Sequence, residues 1–379
     1  MRRIRIHLPR MSFKEFLRTK RFSIPALIIL IFLGTTSWSV TPALTAPGTD
    51  SVAARLAEWG RDHHLGNVIT FAENLQYKLH PPKLGGKPDT TLLNKFVVDD
   101  GLKSQDIVPL VSPALPGEGK FKTVYEVNGK PALRIAYIRP DEAHTSYLAA
   151  IALMSKTELR FVLHPGFLEP GKLSNYKTAD QITKADLNGL AATFNSGFKF
   201  KDSRGGFYTE GIMAQPLKVG SAAFVIYADG HADIGSWGKD MKMSATVESV
   251  RQNLSLLVDN SVVTPNLDEN VQSKWGFAVK NAYYVARSGA GVTADGNIVY
   301  VAGNALSVKS LANVLQAAGA VRAMELDINP DWISYMWYSS ATQPSPEKLF
   351  KFKREVDRYL NPSSRDFFAV YARSPVTLP

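Results

Sequence analysis

Ala323-Met324-Glu325-Leu326-Asp327-Ile328-Asn329-Pro330 reads as the end of a buried strand that carries two acids and an amide at alternate positions. Along a strand, residues two apart share a face, so Glu325, Asp327 and Asn329 are expected to project together. A helix-period run from Ser307 to Ala318 precedes the strand, and Gly319 is placed to stop that helix. Helix, turn, short apolar strand, then polar groups at the strand's exit is a common way to build a site. The competing reading has one acid capping the next loop and the other paired with a structural arginine.

Outward from this unit the chain repeats one device. Ala222 to Tyr227 and Ala232 to Trp237 flank Asp229-Gly230, a hairpin signal because both turn residues tolerate positive φ. Gly291 to Thr293 and Ile298 to Ala302 flank Asp295-Gly296, and Leu254 to Val258 and Ser261 to Thr264 flank Asp259-Asn260. Further strands are predicted over Ala132–Ile138, Tyr147–Met154, Leu159–His164 and Leu190–Phe194, with the second and third of these facing each other across Ser155-Lys156-Thr157. Helical spacing is confined to 183–190, 307–318 and 346–360 in this half. The fold class is therefore α+β, mainly antiparallel sheet with a few interspersed helices, plus an N-terminal membrane helix.

That membrane helix accounts for the charge. Residues 1–21 hold eight Lys and Arg against the single acid Glu15, so a chain of net charge +10 carries only +3 over the remaining 358 residues. A nucleic-acid binder would place its basic face on the folded part, so no nucleic-acid partner is expected. Phe22 to Val40 is apolar and just long enough to span a bilayer, and the basic flank keeps the N-terminus in the cytoplasm. An uncleaved anchor is preferred over a cleaved signal peptide because neither Ala43 nor Ala46 completes a small-residue cleavage pair. Either way the body is exported. The absence of cysteine excludes disulfides and thiolate metal sites.

The expected organisation is a basic tail (1–21), the anchor (22–40), a helical juxtamembrane region and linker (41–118) and a main domain (119–379). Residues 50–63 and 66–78 carry helical spacing, with Asp50 or Ser51 as N-cap, before Pro81 to Pro88 breaks the pattern. His63, His64 and His80 fit no zinc spacing. The charges of 346–360 are read as a solvated helix face.

Candidate chemistry lies on loops. Asn195 in Phe194-Asn195-Ser196-Gly197-Phe198 can donate and accept beside a close-approach glycine. Arg204 and Glu210 bracket Gly205-Gly206, Arg287 precedes Ser288-Gly289-Ala290-Gly291, and Arg251 lies in Val250-Arg251-Gln252-Asn253. An arginine fork matches phosphate or carboxylate oxygens, although a structural ion pair explains any single one as well.

In this order the segments resemble the phosphodiester glycosidase family over about residues 185–340. Asn195 to Lys199 is similar to that family's Asn-Gly-Gly-Phe-Phe element. Arg287 to Val301 is similar to its arginine-plus-hairpin element, and Leu311 to Pro330 to its helix and Leu-Asp-Gly-Gly-Gly-Ser strand end. Asp327 stands where the family has its aspartate, but Ile328-Asn329-Pro330 replaces the glycines. The pattern from Glu58-Trp59 through Pro81-Pro82, with Ala323 to Trp332, also resembles an exported bacterial subgroup of the family. The resemblance implies an extracytoplasmic hydrolase of sugar-1-phosphodiester links, acting on a cell-envelope glycan or glycosyl-phosphate polymer, with no cofactor. Asp327, Glu325 and Glu210 are the candidate catalytic carboxylates. Asn195, Arg287, Arg251, Arg204 and Asn329 are the candidate substrate-binding residues. The alternative is a non-catalytic envelope glycan binder descended from such an enzyme, with Trp332, Tyr335, Trp337 and Tyr338 stacking on sugars. The catalytic reading requires an open hollow shared by the arginine and the acids.

Overall fold

The computed structural model describes residues 13–66, 68–69, 71, 75, 79–94, 106–268, 275, 284–339 and 344–373. Two compact units are present, one of residues 1–46 with 50–69, the other of 47–49 with 70–379.

In the first unit, helix α1 (Phe13–Leu44) contains an 18-residue window, Leu27–Leu44, long and apolar enough to cross a membrane. Helix α2 (Val52–Asp62) follows, and the Ser51 hydroxyl accepts from the Ala54 amide, so Ser51 is the N-cap. The predicted helix over 66–78 falls partly outside the described residues.

The second unit contains the single-turn helices α3 (Thr91–Asn94) and α4 (Phe200–Ser203), a longer helix α5 (Val308–Ala317), and eighteen strands among the described residues. An eight-stranded sheet runs in the order β1 (Lys122–Val127), β2 (Lys130–Ile138), β3 (Ala149–Met154), β14 (Ile298–Leu306), β13 (Val285–Thr293), β15 (Ala320–Glu325), β11 (Leu256–Asp259), β12 (Val262–Val263). A second sheet has β7 (Ile212–Gln215), β6 (Phe207–Thr209), β10 (Val247–Gln252), β8 (Ala222–Tyr227) and β9 (Ala232–Ser236). The third has β17 (Pro346–Lys348), β16 (Tyr335–Tyr338), β5 (Leu190–Asn195), β18 (Phe367–Ala372) and β4 (Leu159–His164). Every strand pairing is antiparallel.

Strand alternation divides the large sheet between two cores. In β14 the residues Ile298, Tyr300 and Ala302 face a core shared by all three sheets, where they join Phe161, Phe194, Phe224 and Phe368. Val299 and Val301 turn to the other face, against Leu311, Ala312 and Leu315 of α5. Gly289 allows that helix to approach, because a Cβ there would lie 2.9 Å from the Met324 carbonyl and 3.0 Å from Leu315. Ser307 caps α5 through a reciprocal bond pair with Ser310. Leu93 lies in the shared core and Ile107 in the core under α5, so the chain before residue 119 also contributes buried residues.

The three turn-marked hairpins form as the sequence predicts. Three expectations are corrected. First, β3 and β4 do not pair; β3 lies between β2 and β14, whereas β4 joins β18 in another sheet. Second, 183–190 holds one 3₁₀ turn, Lys184–Leu187, before β5 begins. Third, 346–360 is not a helix but β17, an irregular stretch and a 3₁₀ turn at Arg358–Leu360. Glu347, Lys351, Lys353, Glu355 and Asp357 are exposed, but Arg354 and Arg358 are buried with their guanidiniums 4.9 and 5.3 Å from the Trp332 ring. Tertiary stacking overrides local helical preference there.

Candidate active site

Six loop or strand ends from all three sheets converge on one array of alternating charge. Arg287 of β13 donates to Glu325 at the end of β15 at 2.6 Å. Two residues on, Asp327 lies 3.5 Å from Arg365. Arg365 is followed by Asp366, whose carboxylate accepts from Arg251 of β10 at 2.7 Å. Glu169, bridged through its backbone to Arg365, completes the group and accepts from the Phe200 amide at 3.2 Å.

The backbone carrying the acids is fixed from several directions. Ser288 and Asp327 bond through their main chains, Ser288 N–H donating to the Asp327 carbonyl at 2.8 Å. The Asn253 amide donates to the Glu325 and Leu326 carbonyls at 2.8 and 3.0 Å. Asn195 is the hub of the array. Its side-chain oxygen accepts from Tyr300 at 2.8 Å and from the Ser334 amide at 3.1 Å, and its amide donates to the Ser288 hydroxyl at 3.1 Å.

Asn195, Arg287, Glu325 and Asp327 are thus brought together. Arg251 belongs to the same array, held by Asp366 and the Gln252 carbonyl, with Phe200 under its guanidinium. Asn329 sits on the half-buried rim, donating its amide N–H to Asp327 at 2.9 Å. Arg204 is exposed at the end of α4, in the left-handed conformation. Glu210 clasps the Lys177 and Thr178 amides at 2.6 and 2.8 Å. Its partial burial raises its pKa, but the bonds from Thr178 and Lys177 outweigh that and leave it lowered. Sequence reasoning did not single out Glu169, Ser288, Arg365 or Asp366. The polar run Ser363-Ser364-Arg365-Asp366 entering the apolar strand Phe367–Ala372 is the signal that could have found the last two.

Electrostatically the site is tense. Burial pushes Glu325 up to about 7 despite the Arg287 guanidinium, and nearby Asp327 adds to the rise. Burial likewise pushes Asp327 up to about 6, against the opposing pull of Arg365. Glu169 is also raised by burial. Arg287 Nη2, Glu325 Oε2, Asp366 Oδ1 and Ser196 Oγ are buried without a hydrogen-bond partner. Each such group costs on the order of 1–3 kcal/mol, and their clustering makes this a candidate site.

The array does not occupy an open hollow, in contrast to the expectation. Arg287 and Glu325 have no exposure, and Asp327 and Asn195 only 3% each. Trp332, Tyr335 and Tyr338 are likewise core residues rather than a sugar platform. An open cavity of about 230 Å³ lies at the opposite end of the same strands, lined by Lys156, His231, Asp233, Asp295 and Arg322. It shares no residue with the carboxylate array, where the paired acids and guanidiniums lie.

The segment that carries Asn195, Arg287, Glu325 and Asp327 is also the one with a family match. Residues 184–327 match the phosphodiester glycosidase family. No curated protein matches the chain. Among solved structures, the chain is similar to the zebrafish N-acetylglucosamine-1-phosphodiester alpha-N-acetylglucosaminidase catalytic domain auto-inhibited by its pro-peptide, with 13% identity and a TM-score of 0.43, covering 66% of this chain and 87% of that one. A hypothetical protein from Synechocystis is similar at 12% identity and a TM-score of 0.37, covering 69% of this chain and 64% of that one. Arg365 and Asp366 lie beyond the phosphodiester glycosidase match, so the array is completed by chain outside it.

Proposed function

We propose that this protein is a membrane-anchored hydrolase that cleaves sugar-1-phosphodiester links in an envelope glycan outside the cell. The observation that carries the reading is the location of Asp327: inside the phosphodiester glycosidase match, beside a guanidinium and within a fixed polar network. Cleavage of the anomeric C–O bond builds positive charge on the sugar and negative charge on the departing phosphate. Asp327 is suited to the first role as a carboxylate that stabilises the sugar centre or activates water. Arg365, with Arg287 behind it, is suited to the second. Glu325, raised to about 7, holds a proton near neutral pH and can return it to the leaving oxygen. Water supplies the new oxygen at the anomeric carbon, and its proton is taken up by Asp327. Asn195 would bind a sugar hydroxyl; the array is sealed, so the open hollow that the catalytic reading requires would have to form by displacement of the half-buried Lys199, Phe200, Ile328 and Asn329. Arg251, Arg204 and Glu210 are assigned to support of the surrounding loops.

The second reading, a glycan-binding protein without catalysis, is favoured by the complete burial of Arg287 and Glu325 and their mutual pairing. One experiment separates the two. Purified full-length protein in detergent is incubated with teichoic acid and with a small glycosyl-1-phosphodiester, and released reducing sugar is measured. Release that is lost in Asp327→Asn, with unfolding unchanged, supports the hydrolase. Retention of polymer without release, equal in both proteins, selects the binder.

A further inference from the structure

The first unit has a feature that an anchor alone does not need. Helix α2 does not lead away from α1; it folds back along it. The Arg55 guanidinium donates to the Leu44 and Ala46 carbonyls at the end of α1. One turn further along α2, the Trp59 indole donates to Ser39 at 3.1 Å, and His63 Nε2 meets the same hydroxyl at 2.9 Å. Residues advance on α2 as they retreat on α1, so the two helices form an antiparallel hairpin. On α1 the half-buried positions are Thr36, Ser39, Val40 and Ala43, the spacing of one helix face. That face is covered by protein rather than open to lipid.

This sets the level of the membrane. Arg61 and Asp62 close α2 beside Ser39, and charged side chains are expensive in hydrocarbon. The hydrocarbon layer therefore ends near Trp38 and Ser39, below the hairpin's charges. Phe22 to Trp38 then supplies about 17 residues, the lower end of what spans a bilayer. At that level apolar side chains are exposed alongside Asp62, His63 and His64: Trp38 is 81% exposed, Leu65 44% and Val68 63%. The turn after α2 aims Leu65 and Val68 outward because Ile69 folds inward onto Gly60, where a Cβ would lie 2.8 Å from it. A tryptophan at the boundary with aliphatic neighbours is the composition of a headgroup-level belt.

We propose that this helical hairpin is a lipid-contacting collar, in which Trp38, Leu65 and Val68 sit in the outer headgroup layer of the membrane that α1 crosses. The proposal rests on α1 being an uncleaved membrane anchor. Because the chain lacks cysteine, single introduced thiols can be labelled uniquely. Leu30→Cys, Ala53→Cys, Leu65→Cys and Val68→Cys, all at exposed positions, are labelled with an environment-sensitive fluorophore. The full chain is then reconstituted into phosphatidylcholine–phosphatidylglycerol vesicles. The expected result is blue-shifted emission at 30, 65 and 68 and water-like emission at 53. Nitroxide lipids labelled deep in the acyl chain quench position 30, and those labelled near the headgroup quench 65 and 68. Adding Ser39→Val, which removes the shared hydroxyl, should shift 65 and 68 towards water and leave 30 unchanged. If 65 and 68 are as water-like as 53 while 30 lies in lipid, the collar is overturned and the anchor stands. If position 30 is itself water-like, the anchor reading fails and the collar fails with it.

Discussion

Asp327 and Glu325 are ionisable groups held where ionisation is penalised, and this has a consequence for stability. Their pKa values in the folded protein, about 6 and about 7, lie above those of free carboxyls. Between about pH 4 and pH 7 the folded state thus binds more protons than the unfolded state. Stability supplied by these two groups is therefore greatest at acid pH and declines as pH rises through the window. Urea unfolding at pH 5 and pH 7.5 should show wild type losing more stability on going to pH 7.5 than Glu325→Gln does; equal losses would remove Glu325 as the source. The arginines divide sharply. Arg251→Ala strands Asp366 in the interior and should cost about 3–5 kcal/mol, whereas exposed Arg204→Ala should stay within about 0.5 kcal/mol, both read from urea midpoints. The sequence pointed to Asn195, Arg287, Glu325 and Asp327 because each sits beside a glycine or at a strand exit. It did not point to Glu169 or Arg365, whose roles come only from side chains far away along the chain.

At the level of elements, Gly289 pairs with Glu325 across β13 and β15 and also leaves room for α5. Gly289→Ala should push β15 or α5 outward, lowering stability by about 1–3 kcal/mol and disturbing the Arg287–Glu325 pair. Leu311→Ala, on the buried face of α5, should cost about 2–5 kcal/mol with no change at the site. Calorimetry on both variants, with the sugar-release assay alongside, distinguishes these outcomes. The legible elements were the local ones: Asp229-Gly230 and Asp295-Gly296 specify their hairpins within a few residues. The β3–β4 misreading arose because Ser155-Lys156-Thr157 is an equally good local turn, while β4 pairs with the distant β18, and β3 takes its preceding neighbour β2 on one side and the distant β14 on the other. Residues 346–360 were misread because Arg354 and Arg358 stack on Trp332, a contact that no local pattern announces.

Across the whole molecule, charge and hydropathy are segregated: basic residues lie before an exposed apolar helix and a nearly neutral body lies after it. Full-length protein should stay with the membrane pellet after alkaline carbonate extraction, and deletion of Phe22 to Val40 should move it to the supernatant; a full-length chain released by carbonate would contradict the anchor.

One topological detail carries further than it first suggests. β18 is the last strand among the described residues, yet it lies inside its sheet, between β5 and β4. The two residues just ahead of it, Arg365 and Asp366, are the partners of Asp327 and Arg251. The local hairpins can thus form on their own, but the third sheet is not closed and the cluster of charges is not balanced until β18 docks. Contacts so distant in sequence form slowly, so the third sheet and the charge cluster are expected to order together in one step.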